Sequence, residues 1–153
     1  MNISEFLRLE AVESRLGASN KPGVLRELVG VVLRVEPDLD PNQLVETLDR
    51  RESLQSTGIG NGVAIPHGKV EKLDRLVACV GRSVEGVDFQ SLDGIPTQLF
   101  FTLFIPAEEH GMHLKALARI SRLFKEERIR NALLEASDAQ EMYDVILEED
   151  RRL

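Results

Sequence analysis

The chain carries three imidazoles, His67, His110 and His113. Imidazole is the side chain best suited to take up and pass on a reactive group near neutral pH. His67 stands in the distinctive run QSTGIGNGVAIPHG, residues 55–68. Gly58, Gly60 and Gly62 alternate there, and a residue without Cβ lets backbone N–H groups come close to a ligand. The β-favouring run Val63-Ala64-Ile65 and the rigid Pro66 then deliver one imidazole beside Gly68. A glycine-lined concavity next to a placed His suits an anion such as a phosphoryl group. Ser56 and Thr57 offer hydroxyls, Asn61 an amide, and Gly58, Gly60 and Gly62 backbone donors, which makes these six the candidate phosphate-binding loop. Hydroxyls beside glycines are equally ordinary turn chemistry.

His110 and His113 follow the apolar run LFFTLFI, residues 99–105, and stand near an expected helix start. Free N–H groups and the positive dipole end there attract anions. Periodicity does not separate the two histidines. Arg51 precedes His67 by 67 − 51 = 16 residues and falls at a predicted helix end. Its guanidinium can grip phosphate oxygens bidentately. A basic pair, Arg50 and Arg51, at a helix C-terminus is also explained by the dipole alone. Lys69 and Lys115 either add positive potential or are simply solvated.

Two rival chemistries fit poorly. A dinucleotide-binding glycine loop follows a strand and opens a helix, whereas this one follows a predicted helix and leads into a strand. His67, His110, His113, Glu108 and Glu109 include zinc-type ligands, but there is no His-Glu-x-x-His, no cysteine pair, and the last two histidines are three apart. No metal ligand set and no cofactor are therefore expected.

The run STGIGNGVAIPHG resembles the active-site signature of the fructose/mannitol-type enzyme IIA domains of the bacterial phosphoenolpyruvate-dependent phosphotransferase system. The STGIGNG wording is most similar to the nitrogen-regulatory branch. The resemblance spans roughly residues 4–147, with its specific wording in residues 51–68 and 113–118. It implies that His67 accepts a phosphoryl group from a small phosphocarrier protein. The Arg-Glu pair of the pattern falls on Arg51-Glu52, which assigns Arg51 to phosphate holding. The His-Leu-x-x-Leu-Ala motif falls on His113-Leu114-Lys115-Ala116-Leu117-Ala118, which selects His113 as the partner imidazole and leaves His110 without a counterpart. It implies a mixed sheet between helices, with both histidines in a shallow depression. The acceptor is either a set of regulatory targets or the cysteine of a IIB domain. IIA-like folds also occur as pure binding modules, but here both histidines and the Arg are present.

The elements that must position these residues are readable from pattern. Ser4 and Glu5 suggest a short opening helix, and residues 12–16 a short edge strand. Val24, Leu25, Leu28, Val31, Val32 and Val35 recur at helical spacing, ended by Pro37. Asp40-Pro41 opens a second helix with Leu44, Val45 and Leu48 on one face. Residues 76–84 read as a strand, residues 86–98 as a polar connection, and residues 99–105 as a strand buried on both faces. Helical patterns follow through Leu114, Leu117, Ile120, Ser121 and Phe124, then Ile129, Leu133 and Leu134. Ser137-Asp138 caps a last helix with Met142, Val145 and Ile146. The expected class is α/β, with a mixed central β-sheet covered by helices on both faces, in a single domain over residues 1–153.

Net charge is −7, which argues against non-specific nucleic-acid binding and against anionic membranes. No apolar run approaches the roughly 18 residues of a membrane span. One cysteine, Cys79, allows no internal disulfide and suits a reducing cytoplasm. No exposed apolar stripe demands an oligomer, so a monomer or weak dimer is expected.

Overall fold

The computed structural model describes residues 1–153. Two short 3-10 turns, Ile3–Glu5 and Leu9–Ala11, lead into β1 (Val12–Glu13). Helices α1 (Lys21–Val32) and α2 (Pro41–Leu54) come next. The glycine stretch supplies β2 (Gly58–Gly60) and β3 (Val63–Ala64), and the PHG triplet opens β4 (His67–Val70). The long strands β5 (Val77–Val87) and β6 (Thr97–Pro106) precede α3 (Met112–Lys125), α4 (Glu127–Glu135) and α5 (Ala139–Asp150).

Local chemistry sets the helix starts. The Asn20 side chain accepts the Gly23 N–H and Asp40 accepts the Asn42 N–H, while Asp138 accepts the Glu141 N–H. Pro22 and Pro41 lie within the first helical turns, where a missing N–H costs nothing. At the amino end Asn2, not Ser4, is the capping residue, in a reciprocal box with Glu5. Helix α1 stops at Val32, and residues 33–35 continue as a turn instead of extending it.

Strand order is β1-β5-β6-β3-β2, with β4 also on β6. Strands β5 and β6 are antiparallel, whereas β3 and β4 run parallel to β6 along its other edge. The sheet is therefore mixed. Pro66 interrupts β3 and β4 where no donor is needed, and its carbonyl still accepts the Leu103 N–H at 2.9 Å.

Strand β6 alternates strictly between two cores. Leu99, Phe101, Leu103 and Ile105 face α3, α4 and α5, meeting Ile120, Phe124 and Met142. Phe100 and Phe104 face α1 and α2, meeting Leu28, Leu44 and Leu48. The apolar run is thus a central strand with helices on both faces. Leu114, whose spacing suggests an inward face, is 63% exposed. Ser121 and Leu134 also lie outside the cores.

The two chain ends meet. The buried Asp150 carboxylate accepts the Ile3 N–H at 2.7 Å and pairs with Arg119 of α3. No helix is long and apolar enough to cross a membrane.

Helix α2 lies directly on β4, and the contact is permitted by Gly68. A Cβ there would stand 2.4 Å from the Thr47 methyl. Gly68→Ala should therefore destabilise the fold by about 1–3 kcal/mol. Adding Thr47→Ser, which removes that methyl, should restore most of the loss in a urea titration. A Gly68→Ala variant as stable as wild type would show that α2 and β4 are not held this closely.

Candidate functional site

His67 begins β4, in register with Leu103 on the central strand. Its Nδ1–H donates to the Ile65 carbonyl at 2.7 Å. A carbonyl only accepts, so this bond fixes the proton on Nδ1 and leaves the Nε2 lone pair free. Burial pushes the imidazole below its ordinary pKa, and the nearby Arg51 and His113 charges act in the same direction. The Ile65 bond and Glu52 oppose the shift without reversing it. The ring is neutral at neutral pH, as a nucleophile must be.

A cavity of about 430 Å3 opens over this ring. It is lined by Thr47, Arg50 and Arg51 of α2, by His67, Gly68 and Lys69 of β4, and by Ile105, His113, Leu114 and Leu117. No carboxylate belongs to the lining. Three permanent cations and two imidazoles thus converge on a protein of net charge −7. Such a focus of positive potential selects an anion. Arg51 donates from Nη1 to the Gln55 carbonyl at 2.9 Å, which closes the end of α2 and fixes the guanidinium. Arg50 pairs with Glu46 one turn back.

His113 stands in the first turn of α3 and is partly buried. Its Nδ1–H donates to Glu109 at 2.8 Å. The same carboxylate accepts the backbone N–H groups of Met112 and His113. Partial desolvation acts to raise the Glu109 pKa, but these donors outweigh it and hold the carboxyl below its usual range.

The structure brings His67, His113 and Arg51 together around one cavity. It does not bring the six glycine-loop residues there: Ser56, Thr57, Gly58, Gly60, Asn61 and Gly62 are absent from the lining. Asn61 and Gly62, both at positive φ, form the two-residue turn of the β2–β3 hairpin. Ser56 Oγ donates to the Phe89 carbonyl and accepts the Gly58 N–H. The Asn61 N–H is held by Asp93 at 2.8 Å. A Cβ at Gly58 would meet Ser91 Oγ at 2.0 Å, so that glycine serves close packing against the loop after β5. His110 and Lys115 are exposed and outside the cavity.

Glu52 explains how the hairpin is held. This buried carboxylate accepts the Thr57 N–H at 3.1 Å and the Thr57 hydroxyl. Its counter-ion is Lys21 of α1, at 2.8 Å, whose ammonium also lies over the Phe89 ring. Sequence reasoning missed the roles of Glu52, Glu109 and Arg50. The first answers a lysine in a distant helix. The second has a readable sign, a carboxylate four residues before a histidine at a helix start.

Comparison with known proteins finds relatives along nearly the whole chain. The family model described as "Phosphoenolpyruvate-dependent sugar phosphotransferase system, EIIA 2" matches residues 5–149. A nitrogen regulatory protein of Bradyrhizobium diazoefficiens is 37% identical over 146 residues, 95% of this chain and 95% of that protein. A fructose-specific EIIABC component of Bacillus subtilis is 36% identical over 151 residues, 99% of this chain. The chain spans only 24% of that protein's length. The crystal structure of nitrogen regulatory protein IIA-Ntr from Neisseria meningitidis superposes with a TM-score of 0.88 at 33% identity, covering 94% of this chain and 98% of that one.

Two outcomes follow from the charges. Lys21→Met leaves Glu52 buried without its cation and should cost about 3–5 kcal/mol in chemical denaturation. A loss below 1 kcal/mol would mean that the pair is dispensable, as exposed pairs are. For His67, the folded pKa lies below the ordinary value of 6.5, so the folded state binds fewer protons. Its contribution to stability is full above pH 6.5 and drains as pH falls through the lowered folded value. His67→Gln should flatten that part of the stability–pH curve.

Proposed function

The chain belongs to the EIIA 2 family of the phosphoenolpyruvate-dependent sugar phosphotransferase system, and from that membership we propose that it accepts a phosphoryl group on His67 from a phosphohistidine carrier protein and holds it as a regulatory signal. The observation that carries this reading is a neutral imidazole whose Nδ1–H is spent on the Ile65 carbonyl, under a cavity lined by cations and no carboxylate.

The Nε2 lone pair of His67 attacks the phosphorus in line with the bond to be broken. A new N–P bond forms as the carrier's N–P bond breaks, and that electron pair returns to the carrier's ring nitrogen. Positive charge appearing on the His67 ring is shared with the Ile65 carbonyl through Nδ1–H. Arg51, with Arg50 and Lys69, balances the three phosphoryl oxygens, which carry most of the charge in a loose transition state. His113 contacts the same group from α3. The proposed residues suffice without a metal, since imidazole both gives and receives. Exposed Arg50 and Leu114 at the lining leave the cavity accessible to a donor that is itself a protein, and the proposed setting is the cytoplasm.

Similarity to nitrogen regulatory proteins over nearly their whole length favours the regulatory output. The fructose-specific relative supports a second reading, in which the group passes on to the cysteine of a separate IIB domain.

The test is intact mass after incubation with phosphoenolpyruvate, enzyme I and the phosphocarrier protein. Wild type should gain a single acid-labile phosphate, and His67→Ala none. An unmodified wild type, in a mixture that phosphorylates another IIA domain, would remove the reading. Arg51→Ala should slow transfer by roughly 100-fold while leaving the melting temperature nearly unchanged. Rapid loss of the phosphate to an added fructose-type IIB domain would favour the second reading over the regulatory one.

A further inference from the structure

Glu109 serves the backbone and a side chain of α3 at once. It closes the first turn of α3 through Met112 N–H, and it also takes the Nδ1–H of His113 in that same turn. Its side chain is only 12% exposed and has no Lys or Arg partner. One carboxylate thus fixes both the backbone that carries His113 and the plane of its ring.

We propose that Glu109 is the positioning residue for His113, setting its proton on Nδ1, presenting Nε2 to the cavity, and supplying the negative charge that balances an imidazolium when a phosphoryl group is bound. With Nδ1–H committed to Glu109, a neutral His113 offers a lone pair at Nε2, which repels phosphoryl oxygens. To donate to them, Nε2 must hold a proton as well, taken from water and returned when the group leaves. The charged groups sharing the cavity are His67 and Lys69 of β4 and Arg50 and Arg51 of α2, all basic. Each opposes a further positive charge on His113. The Glu109 carboxylate, against the ring at 2.8 Å, is what offsets them. The phosphoryl group, once bound, adds negative charge on the other side of the ring.

The kinetic part of this inference rests on His67 being a phosphoryl acceptor, but the tautomer part does not. Nitrogen-15 NMR of the full chain reads the protonation of the His113 ring with no transfer partner present. Wild type should show Nδ1–H, and Glu109→Ala should show exchange between the two tautomers. An Nε2–H form in wild type, or an Nδ1–H signal unchanged in Glu109→Ala, would overturn the positioning role. Glu109→Gln keeps an accepting oxygen and removes the charge. It should slow transfer from the phosphorylated carrier roughly tenfold, the rate equivalent of one charge-assisted hydrogen bond. The same substitution should have no further effect in a His113→Ala background. Wild-type rates in Glu109→Gln, or an equal loss without His113, would overturn the charge role. A wild type that takes up no phosphate at all would defeat the proposed function, while the NMR measurement would still decide whether Glu109 holds His113.

Discussion

The Glu52 carboxylate is the junction on which the rest depends. A buried charge is tolerated only if paired and hydrogen-bonded, and every partner that satisfies Glu52 belongs to a different part of the chain. Lys21 brings α1, and Thr57 brings the start of the β2–β3 hairpin. Glu52 itself stands in the last turn of α2. Arg51 is its neighbour on that helix and points into the cavity. The hairpin in turn sets where the chain enters Ile65-Pro66, whose carbonyl contacts orient His67 and β4. A single acidic group outside the cavity thus sets the Arg51 guanidinium in register with the His67 imidazole across the cavity.

The site draws one basic residue set from each layer. Arg50 and Arg51 come from α2 on one side of the sheet, His113 from α3 on the other, and His67 and Lys69 from the sheet itself. The carboxylates near these groups bond to the scaffold or to the flank of a charged side chain, as Glu52, Glu109 and Glu46 do. Acidic charge lies outside the lining, and segregation of sign leaves the cavity positive. Sorting charge in this way gives an acidic molecule one positively lined cavity.

Much of this was legible in the sequence, for identifiable reasons. The run over residues 99–105 announced a strand buried on both faces, and β6 alternates between two cores as such a strand must. Asp40-Pro41 and Ser137-Asp138 marked helix starts because capping is local chemistry. His67 was singled out by its setting. His113 was separable from His110 only by resemblance, since both stand near the same helix start. The glycines were harder. Their alternate spacing suits an anion-binding loop as well as a hairpin, and the Asn61-Gly62 pair is the two-residue turn that makes it a hairpin. What finally places those residues is the loop after β5, with Ser91 against Gly58 and Asp93 on Asn61. Contacts between segments so distant in the chain leave no periodic trace.

The clasp between Ile3 and Asp150 gives the molecule a topological property. Its two ends are drawn to one spot by a buried carboxylate, with Arg119 of α3 completing the clasp. A unit whose ends coincide can be spliced into a host polypeptide as a closed loop, with little strain on either flank. It can also be cut open elsewhere and rejoined through a few flexible residues without redrawing the sheet. The route of the backbone thereby makes this a portable part, equally suited to standing alone or to being threaded between neighbours on a longer string.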